Sequence, residues 1–125
     1  MNRVYLSVVD VLALHDQQML LYGGADGVRD AGQLEAALFR PQSGYYGDII
    51  AEAAALWESL SQNHPFVDGN KRTAYVATYS FLLVNGVRMT MGHQKTWEFL
   101  INLYETREMN FERLEVWLRA NTAPV

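Results

Sequence analysis

The sequence of 125 residues contains no cysteine and only three prolines. The lack of thiols excludes disulfide bridges and thiolate metal sites, which agrees with a reducing, cytoplasmic environment. No apolar run approaches the length of about eighteen residues that spans a membrane. Positive charge is also scarce, since the net charge is -4, and an acidic chain argues against a broad nucleic-acid surface. We therefore expect a cytoplasmic protein with neither membrane nor direct nucleic-acid partners.

Apolar residues make up half of the chain and recur at helical spacing in six segments. Side chains suited to helix N-caps precede four of these segments, at Ser7, Asp30, Asp48 and Asn110. No strand signal exceeds five residues, and the length suits one domain over residues 1–125. We predict an all-α fold, a compact single-domain bundle of about six helices.

The segment after Gly69 is apolar on almost every face up to Val84. A helix of this kind is normally buried, so we predict that it is the central helix. Residues 41–47 contain two glycines and two adjacent tyrosines, which predicts an exposed flap or a short hairpin. Residues 87–91 are expected to be extended, and residues 120–125 to be a frayed tail.

Several single residues outside the flap have a structural interpretation. His15 lies on an apolar helix face, which favours a hydrogen-bonded structural role over a role at a site. His93 at a helix start is expected to be exposed. The three tryptophans follow helical stripes and are expected in the core. Arg29 and Arg40 can reach phosphate or a target protein, but surface ion pairing is at least as well supported.

Residues 64–72 combine a histidine, a carboxylate, a glycine, an amide and two cations. His64 and Asp68 are four residues apart, but Pro65 between them prevents the continuous helix that would place both on one face. A zinc site would need a third protein ligand, which nothing nearby supplies. Asp68 alone suits magnesium, which takes one or two carboxylates together with substrate phosphates.

The same stretch predicts an anion site at the start of a helix. Gly69 permits a tight turn, and the first N–H groups of the next helix are free to bind an anion. Asn70, Lys71 and Arg72 add side-chain donors and charge, while His64 can accept a proton from a hydroxyl near neutral pH. The combination indicates phosphoryl or nucleotidyl transfer. An ordinary turn and helix cap with solvated cations is the alternative, and the chemistry alone leaves it open.

The stretch resembles the signature of the Fic/Doc (Fido) family, H-x-F-x-D/E-G/A-N followed by G or K and then R. His64, Phe66 and residues 68–72 fill every key position. Residues 14–16, 23–24, 27–30 and 37–41 are similar to the short, Doc-type (death-on-curing) branch, so the likeness covers about residues 8–118. The resemblance implies the helical Fido fold with a short flap.

The family also implies a role for each matching residue. His64 would be the general base, Phe66 a core anchor and Asp68 the ligand of Mg²⁺ at the phosphates of ATP. The implied nucleotide-binding residues are Gly69, Asn70, Lys71 and Arg72, of which Lys71 is either a phosphate ligand or a block to the orientation used by adenylylating relatives. The flap would dock the target segment as an added strand.

Two positions depart from the adenylylating pattern of the family. Lys71 stands where that pattern has glycine, and Tyr75 stands where it has a second arginine. Both departures match the Doc branch, which implies a toxin that moves the γ-phosphate of ATP to a Ser/Thr hydroxyl, with elongation factor Tu as the leading acceptor and a cognate antitoxin as inhibitor. The alternatives are an adenylyl or nucleotidyl transferase acting on a protein hydroxyl, and an inactive module that binds a nucleotide or a partner.

Overall fold

The computed structural model describes residues 2–125, and within this range it is a six-helix bundle with one small sheet. The all-α prediction is confirmed. A single turn of 3-10 helix, Arg40–Gln42, follows the second helix. The helices are α1 Val8–Tyr22, α2 Ala31–Phe39, α3 Ile49–Gln62, α4 Asn70–Val84, α5 His93–Glu105 and α6 Phe111–Ala120, and the strands are β1 Val87–Met89 and β2 Thr122–Pro124.

The helix boundaries follow from capping side chains, as the sequence predicts. Ser7 and Asp10 form a capping box at the start of α1. The side chains of Asp30, Asp48 and Asn110 each accept a hydrogen bond from the backbone N–H three residues further on. These bonds satisfy N–H groups that have no partner inside the helix, which fixes where α2, α3 and α6 begin.

A buried central helix exists, but it is α3 and not the helix after Gly69. Ten of the fourteen residues of α3 are buried, and it packs against α2, α4 and α6. Its alanines at 53–55 are fully buried, because small side chains let neighbouring helices approach closely. In α4, Leu83 and Val84 are 45% and 55% exposed. The apolar composition of α4 therefore predicted more burial than the structure shows.

The prediction of a frayed C-terminal tail is wrong. Residues 122–124 form β2, which pairs in antiparallel register with β1: Val87 opposes Pro124, and Met89 opposes Thr122. Val125 adds a backbone hydrogen bond of 2.9 Å to the carbonyl of Gly86. An isolated three-residue strand would leave its backbone groups unpaired, so the tail supplies the partner that β1 needs.

The predicted flap is exposed, but it does not form a hairpin. Pro41 lies buried in the 3-10 turn, whereas Tyr45 is 84% exposed. The hydroxyl of Tyr46 accepts a hydrogen bond of 2.6 Å from Arg40, and Arg40 also pairs with Glu58 of α3 at 2.7 Å. The ion-pair interpretation of Arg40 is thus confirmed. Arg40 links Tyr46 of the flap to Glu58 of α3.

No helix within residues 2–125 combines the length and apolar character needed to cross a membrane.

The contact between α3 and α6 gives a pH-dependent prediction. Asp48 caps α3 and also binds Arg119 of α6 through both carboxylate oxygens, at 2.9 and 3.2 Å. The bonds from Arg119, together with the N–H of Ala51, hold the pKa of Asp48 below its ordinary value. This contribution is complete above the unfolded-state pKa of about 3.9 and is lost as the pH falls through the lower folded-state pKa.

We expect Asp48→Asn to keep the helix cap and to lower the free energy of unfolding by about 0.5–1 kcal/mol at pH 7, since the pair is exposed. Urea unfolding at several pH values should show this difference shrinking below about pH 4. Asp26→Asn, at an exposed loop position, is the matched control. A difference that is unchanged at pH 3 would contradict the ion-pair explanation.

Candidate active site

The loop between α3 and α4 is fixed by the loop between α1 and α2. The backbone N–H groups of Arg29 and Asp30 both donate to the carbonyl of Pro65, at 2.8 and 3.0 Å. Val67 donates to the carbonyl of Gly27 at 3.0 Å. Two segments that lie far apart in the sequence thus pair like short strands, which holds residues 64–69 in one shape.

The side chain of Arg29 supports the backbone of His64. Its Nε donates to the carbonyl of His64 at 2.6 Å, and its Nη2 donates to the carbonyl of Asn63 at 2.8 Å. His64 has a φ of +48°, in the left-handed region that costs a residue with a side chain about 1–2 kcal/mol. The guanidinium offsets this cost and leaves the exposed imidazole of His64 free at the surface.

This role of Arg29 was not predicted from the sequence. We expected phosphate binding or a surface ion pair, but the guanidinium bonds to two backbone carbonyls instead. A backbone partner more than thirty residues away leaves no pattern in the sequence, so no sequence signal would have identified it.

Phe66 and His15 anchor the loop in the core. Phe66 is 1% exposed, and its ring stacks on that of His15 with centroids 3.9 Å apart. The Nε2 of His15 lies 2.8 Å from the carbonyl of Asp68. The predictions of a core anchor at Phe66 and a hydrogen-bonded structural role for His15 are confirmed. His15 also fixes the backbone at Asp68, next to the predicted site.

Asp68 presents an ionised carboxylate at the surface. Its two oxygens accept backbone hydrogen bonds from Gly69 at 2.8 Å and from Ala25 at 3.2 Å. These bonds, from Ala25 first and then Gly69, hold the pKa of Asp68 below its ordinary value, with the charge of Arg72 adding to them. A Cβ on Gly24 would lie 2.9 Å from the carboxylate, so the close approach of this loop requires glycine.

The carboxylate of Asp68 fits the chemistry of a magnesium ligand. It is ionised, exposed and of the hard oxygen type that Mg²⁺ prefers. Within residues 2–125 no cluster of three or more acidic or histidine side chains could form a protein-only metal cage. Binding through one carboxylate together with substrate phosphates does not need such a cage.

Gly69 starts α4 in a left-handed conformation and leaves the helix N-terminus open. Its φ is +76°, and no side chain caps the helix. The first N–H groups of α4 therefore have no helical partner and carry the positive end of the helix dipole. The amide of Asn70 bonds instead to the backbone N–H and carbonyl of Phe66, at 2.9 and 3.0 Å. The predicted side-chain donor of Asn70 is used within the loop, and only its backbone remains for an anion.

The two cations beside this helix start rest on aromatic rings. The Nζ of Lys71 lies 4.5 Å from the ring centroid of Tyr104, and the guanidinium carbon of Arg72 lies 4.5 Å from that of Tyr22. Cation–π contacts of this kind hold a charged group in place without neutralising it. Both charges therefore remain available to an anion at the N-terminus of α4.

One cleft of about 390 Å³ brings all the predicted site residues together. Its remaining lining comes from Val67 and Trp97. Trp97 was expected in the core with Trp57 and Trp117; the other two are buried, whereas Trp97 is half-buried and faces the cleft. The predicted residues that line the cleft are His64, Asp68, Gly69, Asn70, Lys71 and Arg72. This arrangement can hold an anionic group beside a proton acceptor.

Tyr75 and His93 lie next to this cleft and interact with each other. The hydroxyl of Tyr75 is 2.6 Å from Nδ1 of His93, which is exposed as predicted. Burial, together with the nearby Tyr79, raises the pKa of Tyr75 to about 12. Tyr75 therefore stays protonated at neutral pH, and its hydroxyl shares a hydrogen bond with Nδ1 of His93.

This chain is similar to a family model and to two known proteins. The model of the Fic/DOC family matches residues 5–82. The chain is 40% identical over 116 residues to a protein named Toxin Doc from Mycolicibacterium smegmatis, covering 88% of this chain and 87% of that protein. It is 34% identical over 89 residues to Protein kinase doc of Escherichia phage P1, covering 68% and 71%.

The turn at Gly69 gives a stability prediction. A Cβ at this position would clash with the terminal methyl of buried Met19, in addition to the strain of a positive φ. We expect Gly69→Ala to lower the free energy of unfolding by about 2–4 kcal/mol, the sum of strain and repacking. Gly44→Ala is the matched control, because its φ is +85° and a Cβ there meets open space. Urea unfolding measures both variants. An equal loss of unfolding free energy in the two would contradict this explanation, because it would show that the side chain of Met19 moves aside at no cost.

Proposed function

The chain belongs to the Fic/DOC family, and from this we propose that it is a Doc-like toxin that transfers the γ-phosphate of ATP to a Ser/Thr hydroxyl of a target protein. One observation carries the proposal: the exposed imidazole of His64 shares a cleft with the uncapped N-terminus of α4, which Lys71 and Arg72 flank. The names of the two relatives, a toxin and a protein kinase, support the same activity.

In this proposal His64 is the general base. Its imidazole accepts the proton of the Ser/Thr hydroxyl while the oxygen attacks the γ-phosphorus of ATP. A new bond forms between that oxygen and phosphorus, the bond to the bridging oxygen breaks, and ADP leaves. The proton remains on His64 until solvent takes it. Arg29 serves the step indirectly, because it holds the strained backbone that presents the imidazole.

The start of α4 stabilises the transferred group. Backbone N–H groups at residues 70–72 and the charges of Lys71 and Arg72 are already in place, so they need no rearrangement as charge shifts in the transition state. Asp68 is suited to hold Mg²⁺ against the phosphates, and the ion when bound neutralises part of their charge. ATP with Mg²⁺ is accordingly the proposed co-substrate.

The proposed setting is a toxin–antitoxin system in the cytoplasm. The likeness to a protein named Toxin Doc supports a cognate antitoxin that blocks this chain. Elongation factor Tu is the leading candidate for the target. The flap of residues 41–47 contains no strand, so docking of a target segment by strand addition would require the flap to become extended on binding.

The transferred group can be identified with labelled ATP. We expect protein in a cell lysate to acquire label from γ-labelled ATP and none from α-labelled ATP. His64→Ala should lower transfer at least 100-fold or so, since general-base catalysis contributes about 10²–10⁴-fold. Gln94→Ala, at an exposed position of α5, is the control that should retain activity.

Transfer of the α-label would instead assign nucleotidyl transfer to the same residues. If neither label moves while ATP still binds, the chain is a binding module and the proposed activity is wrong.

A second prediction tests the role of Arg29. Arg29→Met removes both carbonyl contacts, so His64 should lose its position while the phosphate site remains intact. We expect kcat to fall about 10–100-fold with the Kd for ATP unchanged, because small displacements of a catalytic group are costly. Arg88→Met, an exposed arginine in β1, is the matched control. A parallel loss of ATP affinity would show that Arg29 contacts the nucleotide.

A further inference from the structure

The side chain of Lys71 extends from the loop cleft to a tyrosine of α5. Lys71 lines the cleft, and its Nζ lies over the ring of Tyr104, 4.5 Å from the centroid. The sequence alone left two roles for Lys71, a phosphate ligand or a block to the nucleotide orientation used by adenylylating relatives. Which role it takes depends on where its ammonium group is held.

The ring of Tyr104 is fixed to the end of α3. Its hydroxyl donates a hydrogen bond of 3.0 Å to Oγ of Ser61, which is 1% exposed. The next residue, Gln62, donates to the carbonyl of Met109 at 2.7 Å and so holds the loop that follows α5. Burial raises the pKa of Tyr104, so its ring is neutral at physiological pH. Lys71 therefore meets the face of a neutral ring that packing and a hydrogen bond keep in place.

A lysine that is already ordered is a better anion ligand than a mobile one. Its flexible four-carbon stem has many rotamers, and binding an anion must otherwise select among them at an entropic cost. The face of an aromatic ring attracts the ammonium group through the ring quadrupole and leaves its N–H groups able to donate. The contact also draws the ammonium toward α5, so that it flanks the start of α4 without capping it.

The corresponding contact of Arg72 is less constrained. Its guanidinium lies over the ring of Tyr22, the last residue of α1, which is 64% exposed. A guanidinium is planar and rigid, so it needs less support than an ammonium on a flexible stem. Tyr104 is thus the ring on which the position of a cation depends more strongly.

We propose that Tyr104 is a positioning residue, which holds the ammonium of Lys71 beside the start of α4 so that Lys71 binds a phosphate of the nucleotide. In this position Lys71 is a ligand and does not block the site. The inference rests on the proposed function, because it assumes that the phosphates of ATP bind at the start of α4. Tyr104 acts through Lys71 and takes no part in the proton transfer.

The contact can be measured in the wild-type chain by NMR. Lys71 and Lys95 are its two lysines, so a chain labelled with ¹³C-lysine gives two ε-methylene signals. Protons above a ring face are shifted upfield, so we expect an upfield shift for Lys71 and none for the exposed Lys95. Tyr104→Phe should keep this shift. An unshifted Lys71 signal in the wild type would overturn the inference, whether or not other Tyr104 variants fold.

Calorimetry with Mg·ATP on the full chain, without any target protein, measures the effect on binding. We expect Tyr104→Leu to weaken ATP binding about two- to fivefold, the scale of one exposed cation–π contact. Tyr104→Phe keeps the ring face and should bind ATP as the wild type does. In a Lys71→Met background, Tyr104→Leu should cause no further loss, because the ring then has no ammonium to hold.

Tyr5→Leu is the matched control for the loss of a tyrosine ring. The ring of Tyr5 is half-buried and stacks on Phe81, with centroids 5.9 Å apart, near the end of α4 that lies away from Lys71. Its removal should lower the melting temperature in thermal unfolding and leave the affinity for ATP unchanged.

An equal loss of ATP affinity on Tyr104→Leu with Lys71 present or replaced would overturn the inference, since Tyr104 would then act through the fold. A loss in Tyr104→Phe as large as in Tyr104→Leu would also overturn it, because the hydroxyl and not the ring would be responsible. Failure of the proposed function gives a different result: Tyr104 and Lys71 would remain coupled in ATP binding, yet no γ-label would reach a protein.

Discussion

The candidate site depends on the burial of Phe66. Its ring is stacked on His15 inside the core, and its backbone N–H and carbonyl are both held by the amide of Asn70. Two residues to either side of this anchored ring, the chain is exposed. His64 emerges on one side and Asp68 on the other, with α4 starting directly afterwards. One buried ring thus sets the positions of the proposed base, the proposed metal ligand and the anion-binding helix end.

The cleft carries two positively charged side chains although the whole chain is acidic. The net charge is -4, yet Lys71, Arg72 and the positive end of α4 meet in one cleft. The two cations rest on tyrosine rings, and within residues 2–125 neither forms a salt bridge, although the carboxylate of Asp68 lines the same cleft. A small positive site on an acidic protein attracts a compact polyanion such as a nucleotide more readily than an extended nucleic acid.

Local features of the fold and site could be predicted from the sequence. The side chains of Ser7 and Asp48 cap their helices by bonding to backbone N–H groups three residues further on. The functional groups of residues 64–72 are adjacent in the sequence. Both features can therefore be recognised as sequence patterns. Long-range pairings leave none. The partner of β1 lies more than thirty residues further along the chain. Arg29 bonds to a backbone carbonyl, a group that every residue has.

Burial was also hard to predict from the sequence. The apolar composition of α4 suggested the central position, whereas α3 occupies it because its alanines permit closer packing. Gln18 is a polar residue whose burial was not predicted. A glutamine on a helix is ordinarily exposed, and only the packing of α1 against α4 reveals that this one is buried and faces a cavity.

The central claim is that the N-terminus of α4 and the adjoining loop bind the phosphates of a nucleotide next to His64. A crystal structure with Mg²⁺ and a non-hydrolysable ATP analogue tests this claim most directly. We predict phosphate oxygens within hydrogen-bond distance of the backbone N–H groups of residues 70–72, with the terminal phosphate facing His64. Phosphates bound elsewhere, or a nucleotide whose terminal phosphate points away from His64, would contradict the account.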